Sequence, residues 1–118
     1  MGERSGSTVK LMTQEYKIVH YEENGRDILK DWVKSLKDFK GRDAINRTVS
    51  KLLDGNFGDH KFCRDDVWEL RIHVGAGYRV YYSISGDKII LLLCGGSKNT
   101  QEKDIDKAVG FLKKFKER

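Results

Sequence analysis

Residues 68–82 read WELRIHVGAGYRVYY, and this stretch decides the fold. Apolar and polar side chains alternate on both sides of GAG at 75–77, which is the pattern of two β-strands joined by a hairpin connection. Because the apolar positions predict one buried face, the opposite face collects the polar side chains. These are Glu69, Arg71 and His73 on the first strand and Arg79, Tyr81 and Ser83 on the second.

The register of this hairpin follows from burial. If the apolar faces of both strands lie on the same side of the sheet, the numbers of paired residues must sum to an even value. A loop closed around GAG then pairs His73 with Arg79 and Arg71 with Tyr81, with Cβ atoms about 5 Å apart. The sequence therefore predicts that these four side chains share one surface.

A third strand, IILLLC, follows the turn-like dipeptide at 86–87. A two-residue turn pairs Ser85 with Lys88 and puts Cys94 beside Arg79 on the polar face. Lys98 follows in GGSK, where the chain is predicted to leave the sheet, so it joins the basic residues. The apolar side chains that this register sends to the core are Ile89, Leu91 and Leu93.

The rest of the chain supplies one more strand and three helices. β-Branched and aromatic residues at 15–21 predict a first strand. Apolar residues at helical spacing predict helices over 28–39, over 44–53 and from Thr100 to about residue 116. The predicted order is strand, helix, helix, three-stranded meander, helix. This is an α+β fold with the helices packed on one antiparallel sheet.

The chain length limits the number of domains, and the net charge limits the class of partner. At 118 residues the chain is long enough for one hydrophobic core and too short for two. Residues 1–13 are polar and rich in Gly, Ser and Thr, so we predict a disordered lead-in there and a single domain over 14–118. The 23 Lys and Arg against 18 Asp and Glu give a net charge of +5, which favours an anionic partner but is equally explained by solubility.

Several classes of protein are disfavoured by composition. The two cysteines, Cys63 and Cys94, are too few for a disulfide scaffold and the wrong number for a zinc site. The longest apolar run, IILLLC, is too short to cross a bilayer. We therefore expect a cytoplasmic protein with no membrane partner, no metal and no cofactor.

Two explanations fit the basic face of the hairpin. Like charges set opposite each other destabilise a sheet, so the convergence of Arg71, Arg79 and Lys98 indicates a bound anion. Alternatively, the face is an ordinary solvent-exposed one, on which Glu69 or an acidic residue of the last helix neutralises the arginines.

The chain resembles the HigB-like addiction-module killer proteins of the RelE/ParE toxin superfamily over roughly residues 15–112. The most specific parts are ELR, GYRVYY and LLCGGSK, in that order, preceded by LLDGNFGDHK at 52–61. The resemblance implies a small α+β fold with two N-terminal helices packed on an antiparallel sheet. That implication agrees with the predicted order of elements.

The resemblance also implies a function. Proteins similar to RelE and HigB are ribosome-dependent endoribonucleases that cleave messenger RNA in the ribosomal A site, and a cognate antitoxin silences them. It thus implies the toxin of a type II toxin-antitoxin module, which inhibits translation and has an antitoxin, the ribosome and mRNA as partners.

Candidate site residues come from the matching motifs. Arg79 in GYRVYY matches the family's transition-state-stabilising arginine, and Arg71 in ELR matches a basic active-site position. Lys98 in GGSK matches the basic residue after the last strand. Lys61, the last residue of LLDGNFGDHK, is predicted to contact RNA. The catalytic tyrosine that some RelE members carry near the C-terminus has no counterpart here, because no Tyr follows Lys98.

Metal-independent RNA cleavage needs a base for the 2′-hydroxyl, cations for the phosphorane and an acid for the departing 5′-oxygen. We assign Arg71 and Arg79 to charge stabilisation, because a guanidinium meets phosphate oxygens with two parallel hydrogen bonds. Lys98 positions the phosphate. His73 is the candidate base or acid, since imidazole titrates near neutrality. Tyr81 is the candidate for stacking on an RNA base.

Two other functions remain open. ParE-like relatives of the same fold bind and poison DNA gyrase without chemistry of their own. The second function is that of a plain nucleic-acid- or protein-binding module whose toxin activity has decayed. Basic residues on the sheet favour the nuclease over the ParE-like gyrase inhibitor, whereas nothing in the sequence excludes the binding module.

Overall fold

The computed structural model describes residues 16–118, and the predicted lead-in over 1–13 lies outside them. The strands are β1 (Lys17–His20), β2 (Glu22–Glu23), β3 (Arg26–Asp27), β4 (His60–Arg64), β5 (Val67–Ile72), β6 (Tyr78–Ser85) and β7 (Ile89–Ser97). The helices are α1 (Ile28–Ser35), α2 (Phe39–Lys51) and α3 (Gln101–Lys116), with 3₁₀ turns at Leu52–Asp54 and Lys98–Thr100.

Five strands form one sheet in the order β1-β7-β6-β5-β4, while β2 and β3 form a separate two-stranded hairpin. The mixed α+β class is therefore confirmed. Two details differ from the prediction. The meander has four strands, because β4 pairs antiparallel with β5 along the edge. The sheet is also not wholly antiparallel, because β1 runs parallel to β7.

Helices cover both faces of the sheet. Helices α1 and α2 pack on the face that carries Leu70, Val80 and Leu92. Helix α3 packs on the other face, against Leu91 and Leu93. The prediction that Leu91 and Leu93 share a core with Leu70 was wrong, because consecutive apolar residues on β7 are buried on alternate sides. The second face is not the open polar surface that the sequence indicated.

The register between β5 and β6 keeps the predicted parity but is shifted by two residues. Leu70 lies opposite Val80, so the apolar and polar faces are assigned correctly. Arg71, however, pairs with Arg79 rather than with Tyr81. His73 lies outside the strand, in a five-residue loop over 73–77, so its predicted pairing with Arg79 is wrong.

The register between β6 and β7 differs too. Ser85 pairs with Ile89, so the turn has three residues, not two. A bulge then follows, since Tyr82 pairs with Leu92 and Tyr81 with Cys94. Strand β7 also runs on through GGS to residue 97 instead of ending at 94. As a result Arg79 faces Gly96, not the predicted Cys94.

The helix boundaries are set by capping aspartates. Asp27 accepts a hydrogen bond from the Lys30 amide at 3.0 Å and starts α1. Asp38 does the same for α2 through the Gly41 amide, also at 3.0 Å. The predicted first helix is therefore cut short. Phe39 begins the second helix and is 71% exposed, although the apolar stripe had placed it in the core.

Gly95 and Gly96 lie where both faces of β7 touch another element. A Cβ on Gly95 would overlap the indole of Trp32 on α1 and lie 3.1 Å from the Arg79 carbonyl oxygen. A Cβ on Gly96 would overlap the buried carboxylate of Asp104 on α3. The two glycines thus allow a helix to approach each side of the sheet beside Arg79.

We expect Gly95→Ala to lower the free energy of unfolding by about 2–3 kcal/mol, because the added methyl group overpacks against Trp32. Gly110→Ala is the matched control: no atom lies within 4 Å of a Cβ there, so it should stabilise helix α3 by about 0.5–1 kcal/mol. Urea denaturation measures both. Equal stability of the two variants would contradict close packing at Gly95.

Candidate active site

An open cavity of about 320 Å³ lies at the end of the sheet beside the N-terminus of α3. It brings together four of the six predicted site residues, on β5, β6 and the segments that follow β5 and β7. The cavity is lined by Arg71, Ile72, His73, Gly77, Tyr78, Arg79, Lys98 and Gln101.

A buried carboxylate anchors the two arginines. Glu69 on β5 is fully buried, and its Oε2 accepts hydrogen bonds from Nε of Arg71 at 2.7 Å and from Nε of Arg79 at 3.3 Å. The Arg71 and Arg79 side chains are only 27% and 15% exposed. Glu69 thus offsets the repulsion between two arginines that the register sets directly opposite each other.

The other oxygen of Glu69 is also occupied. Its Oε1 accepts from Nε2 of Gln101 at 2.8 Å and from the Cys63 thiol at 3.6 Å. Burial alone would raise the pKa of Glu69, but hydrogen bonds from Arg71 and Gln101 and the charge of Arg79 outweigh it and lower that pKa. Glu69 is therefore ionised at neutral pH.

Cys63 donates to this carboxylate as a thiol. Burial, with the neighbouring charge of Glu69, raises the pKa of Cys63 to about 11, so the thiol keeps its proton at neutral pH. Cys63 is a hydrogen-bonding neighbour here and not a thiolate nucleophile.

The arginine geometry leaves part of each guanidinium unused by Glu69. Both arginines bind Glu69 through Nε. A terminal nitrogen, Nη1 of Arg71, lies 4.0 Å from Oδ1 of Asp59. Two cations share one buried anion, so the pair carries a net positive charge along the cavity wall. Fixed guanidinium nitrogens of this kind suit phosphate oxygens.

His73 lies at the rim of the cavity, where its ring pairs with the carboxylate of Asp59. Its Nε2 lies 2.5 Å from Oδ2 of Asp59, and its side chain is 72% exposed. The hydrogen bond from His73, reinforced by the charge of Arg71, lowers the pKa of Asp59. With Nε2 engaged, Nδ1 is the ring atom that remains for proton transfer.

Lys98 closes the cavity on the β7 side. Its amide donates to the Gly77 carbonyl at 3.1 Å, which ties the end of β7 to the loop over 73–77. The side chain is exposed, and no carboxylate within residues 16–118 forms an ion pair with it. It is therefore the most available cation of the cavity.

The remaining two predicted residues do not line the cavity. Tyr81 lies on the same face as Arg79 but is fully buried under α3, and its hydroxyl is the buried side-chain oxygen without a hydrogen-bond partner among the described residues. The predicted stacking of Tyr81 on an RNA base is wrong, because no part of its ring is exposed. Lys61 lies on the edge strand opposite Glu69 and is exposed.

Three contributors were not assigned to the site from the sequence. Glu69 entered only as a neutralising group, although strand alternation already placed it beside Arg71. Tyr78 lines the cavity, and its hydroxyl donates to the Asp38 carboxylate at 2.7 Å. Gln101 carries no recognisable signal in a helical first turn, and only the packing of α3 brings it to Glu69.

Within residues 16–118, no three His, Cys, Asp or Glu side chains are grouped so that they could hold a metal ion. None of the helices described there has the length and apolar character to cross a membrane.

Comparison with known proteins defines the family. Residues 31–113 match the family model described as phage-derived protein Gp49-like (DUF891). The chain therefore belongs to the Gp49-like family. A protein of Haemophilus influenzae, described as an uncharacterized protein, is 46% identical over 77 residues, which cover 65% of this chain and 78% of the relative.

We expect Glu69→Gln to lower the free energy of unfolding by about 2 kcal/mol at pH 7, because it leaves two arginines without their buried counter-charge. The pKa of Glu69 is lower in the folded protein than its ordinary value of 4.5, so its stabilisation is full above that pH and is lost as pH falls through the folded pKa. The difference between variant and wild type should therefore shrink below about pH 4.

The control is Glu22→Gln, at an exposed carboxylate, which should change stability by less than about 0.5 kcal/mol. Urea denaturation at pH 7 and at pH 3 measures all three proteins. A Glu69→Gln deficit that is the same at both pH values would show that its charge does not hold the arginines.

Proposed function

We propose that this protein is the toxin of a type II toxin-antitoxin module and acts as a ribosome-dependent, metal-independent mRNA endoribonuclease. The observation that carries the proposal is the convergence of Arg71, His73, Arg79 and Lys98 on one cavity, with both guanidinium groups fixed by a buried carboxylate. Membership of the Gp49-like family, which is toxin-like, also supports it.

In the proposed reaction, a base removes the proton of the 2′-hydroxyl while the 2′-oxygen attacks the adjacent phosphorus. The bond from phosphorus to the 5′-oxygen breaks, and an acid protonates that oxygen. The products are a 2′,3′-cyclic phosphate and a 5′-hydroxyl end. Nothing is oxidised or reduced, so the reaction needs no redox partner.

The residues divide the work as follows. Arg79 and Arg71 stabilise the charge that develops on the phosphorane, and Lys98 positions the phosphate. His73 transfers a proton through Nδ1, with Nε2 held by Asp59. Glu69 is a positioning residue, since it touches the arginines and is itself buried. The cognate antitoxin, the ribosome and mRNA are the proposed partners.

The proposed nuclease function is tested by adding the purified protein separately to a cell-free translation reaction and to a gyrase supercoiling reaction. We expect translation to stop with cleavage of ribosome-bound message, and supercoiling to be unaffected. Inhibition of gyrase without cleavage of message would replace this proposal with the ParE-like one, and inactivity in both reactions would favour the binding module.

We expect Arg79→Ala to lower the single-turnover cleavage rate on ribosomes by about 100-fold or more, with a small effect on ribosome binding, because the lost interaction belongs to the transition state. Arg79→Lys should recover little, since a point charge cannot reproduce the planar fork. Lys113→Ala is the matched control, because it removes a cation from the exposed last turn of α3. It should leave the cleavage rate unchanged. Cleavage by Arg79→Ala at the wild-type rate would rule out this role.

A further inference from the structure

Most of the net charge of the protein resides in one helical hairpin. Residues 28–51, which contain α1 and α2, hold seven Lys and Arg against three Asp, a net charge of +4 out of the +5 of the whole chain. Within residues 16–118, none of these seven cations forms a salt bridge. The hairpin therefore presents an uncompensated positive surface.

A groove with an apolar floor runs between the two helices. It has a volume of about 250 Å³ and also receives the edge residue His20 of β1. Aliphatic side chains form its floor, and three cations, Lys30, Lys34 and Arg42, stand on its rim with Asn46. The floor consists of Leu29, Val33, Ile45 and Val49.

An exposed aromatic ring contacts Arg42 of the groove's rim. Phe39 begins α2 and is 71% exposed, and the Arg42 guanidinium lies over its ring with Cζ 5.3 Å from the centroid. A large exposed aromatic residue beside a charged rim is typical of protein-binding surfaces.

The groove is distinct from the candidate active site. Helices α1 and α2 pack on the face of the sheet that carries Leu70 and Val80. Arg71 and Arg79 lie on the opposite face, beside α3. A substrate bound in the cavity does not occupy the groove.

The chemistry of the groove favours a peptide over a nucleic acid. The floor between the helices is aliphatic, so bases that enter it find no aromatic ring on which to stack, and phosphates gain nothing from apolar contact. The exposed ring of Phe39 stands outside this floor and has the Arg42 guanidinium over it. An amphipathic helix, in contrast, places apolar side chains at intervals of three and four residues into such a floor and leaves its charges for the rim. The positive rim selects a partner helix that is acidic.

We propose that the α1–α2 groove is a docking site for an acidic amphipathic helix of a partner protein. Its apolar side chains lie on the floor between the helices, and its carboxylates pair with Lys30, Lys34 and Arg42. This interaction goes beyond the proposed nuclease function and does not depend on it.

The test uses the full chain and a fluorescein-labelled peptide of about 16 residues, with leucines at helical spacing and glutamates elsewhere. A scrambled peptide of the same composition and an oligouridine of about 12 nucleotides are the comparison probes. Fluorescence anisotropy gives the three affinities. We expect the amphipathic peptide to bind at least about tenfold more tightly than the scrambled one.

Two variants locate the binding. Lys34→Glu with Arg42→Glu reverses the rim charge, and Asn46→Trp fills the groove from an exposed position without changing the charge. Each variant should lower the affinity for the amphipathic peptide by about tenfold. Lys103→Glu with Lys107→Glu, at exposed positions on α3, is the charge-matched control and should change binding by less than about threefold.

Three results would overturn the proposal. One is the absence of binding by the amphipathic peptide, and another is equal binding of the scrambled peptide or of Asn46→Trp, which would reduce the effect to nonspecific attraction. The third is preferential binding of oligouridine that is lost on reversal of the rim charge, which would make the hairpin a nucleic-acid surface instead.

Discussion

The pairing of Arg71 with Arg79 across two strands is possible because Glu69 lies buried between them. One carboxylate oxygen accepts from both arginines, and the other accepts from Gln101 at the start of α3. The same carboxylate therefore joins two strands to the last helix. Of the two explanations offered for the basic face, neutralisation by Glu69 is confirmed, because this carboxylate pairs with both arginines. One carboxylate balances the charge of one arginine only, and anion binding by the pair stays a prediction.

Close packing on both sides of β7 allows helix α3 to bring Gln101 to Glu69. Gly95 and Gly96 let Trp32 approach from one face and Asp104 from the other. Asp104 also accepts from the Thr100 hydroxyl at 2.5 Å, which fixes the start of α3 where Gln101 meets Glu69. The glycines of LLCGGSK thus have a packing role next to the site as well as a place in the motif.

The alternation of WELRIHVGAGYRVYY was sufficient to predict which side chains share a face, because burial enforces the parity of the register. It was not sufficient to predict the pairs, because loop length depends on the positive φ angles of Gly75 and Gly77 and on contact with Asp38. Burial of Tyr81 also escaped prediction, since it depends on α3 crossing the polar face. The four residues Arg71, His73, Arg79 and Lys98 nevertheless line one cavity. They do so in spite of the wrong register because all four lie at the same end of β5, β6 and β7.

Exchange of the arginine Nε protons tests the central claim most directly. NMR spectra of the full chain at pH 7 should show Nε–H signals for Arg71 and Arg79 that exchange more slowly than that of the exposed Arg47. This protection, measured relative to Arg47 at the same pH, should be lost as acid protonates Glu69. Rapid exchange at Arg71 and Arg79 at pH 7, equal to that of Arg47, would contradict a cleft whose guanidinium groups are held by a buried carboxylate.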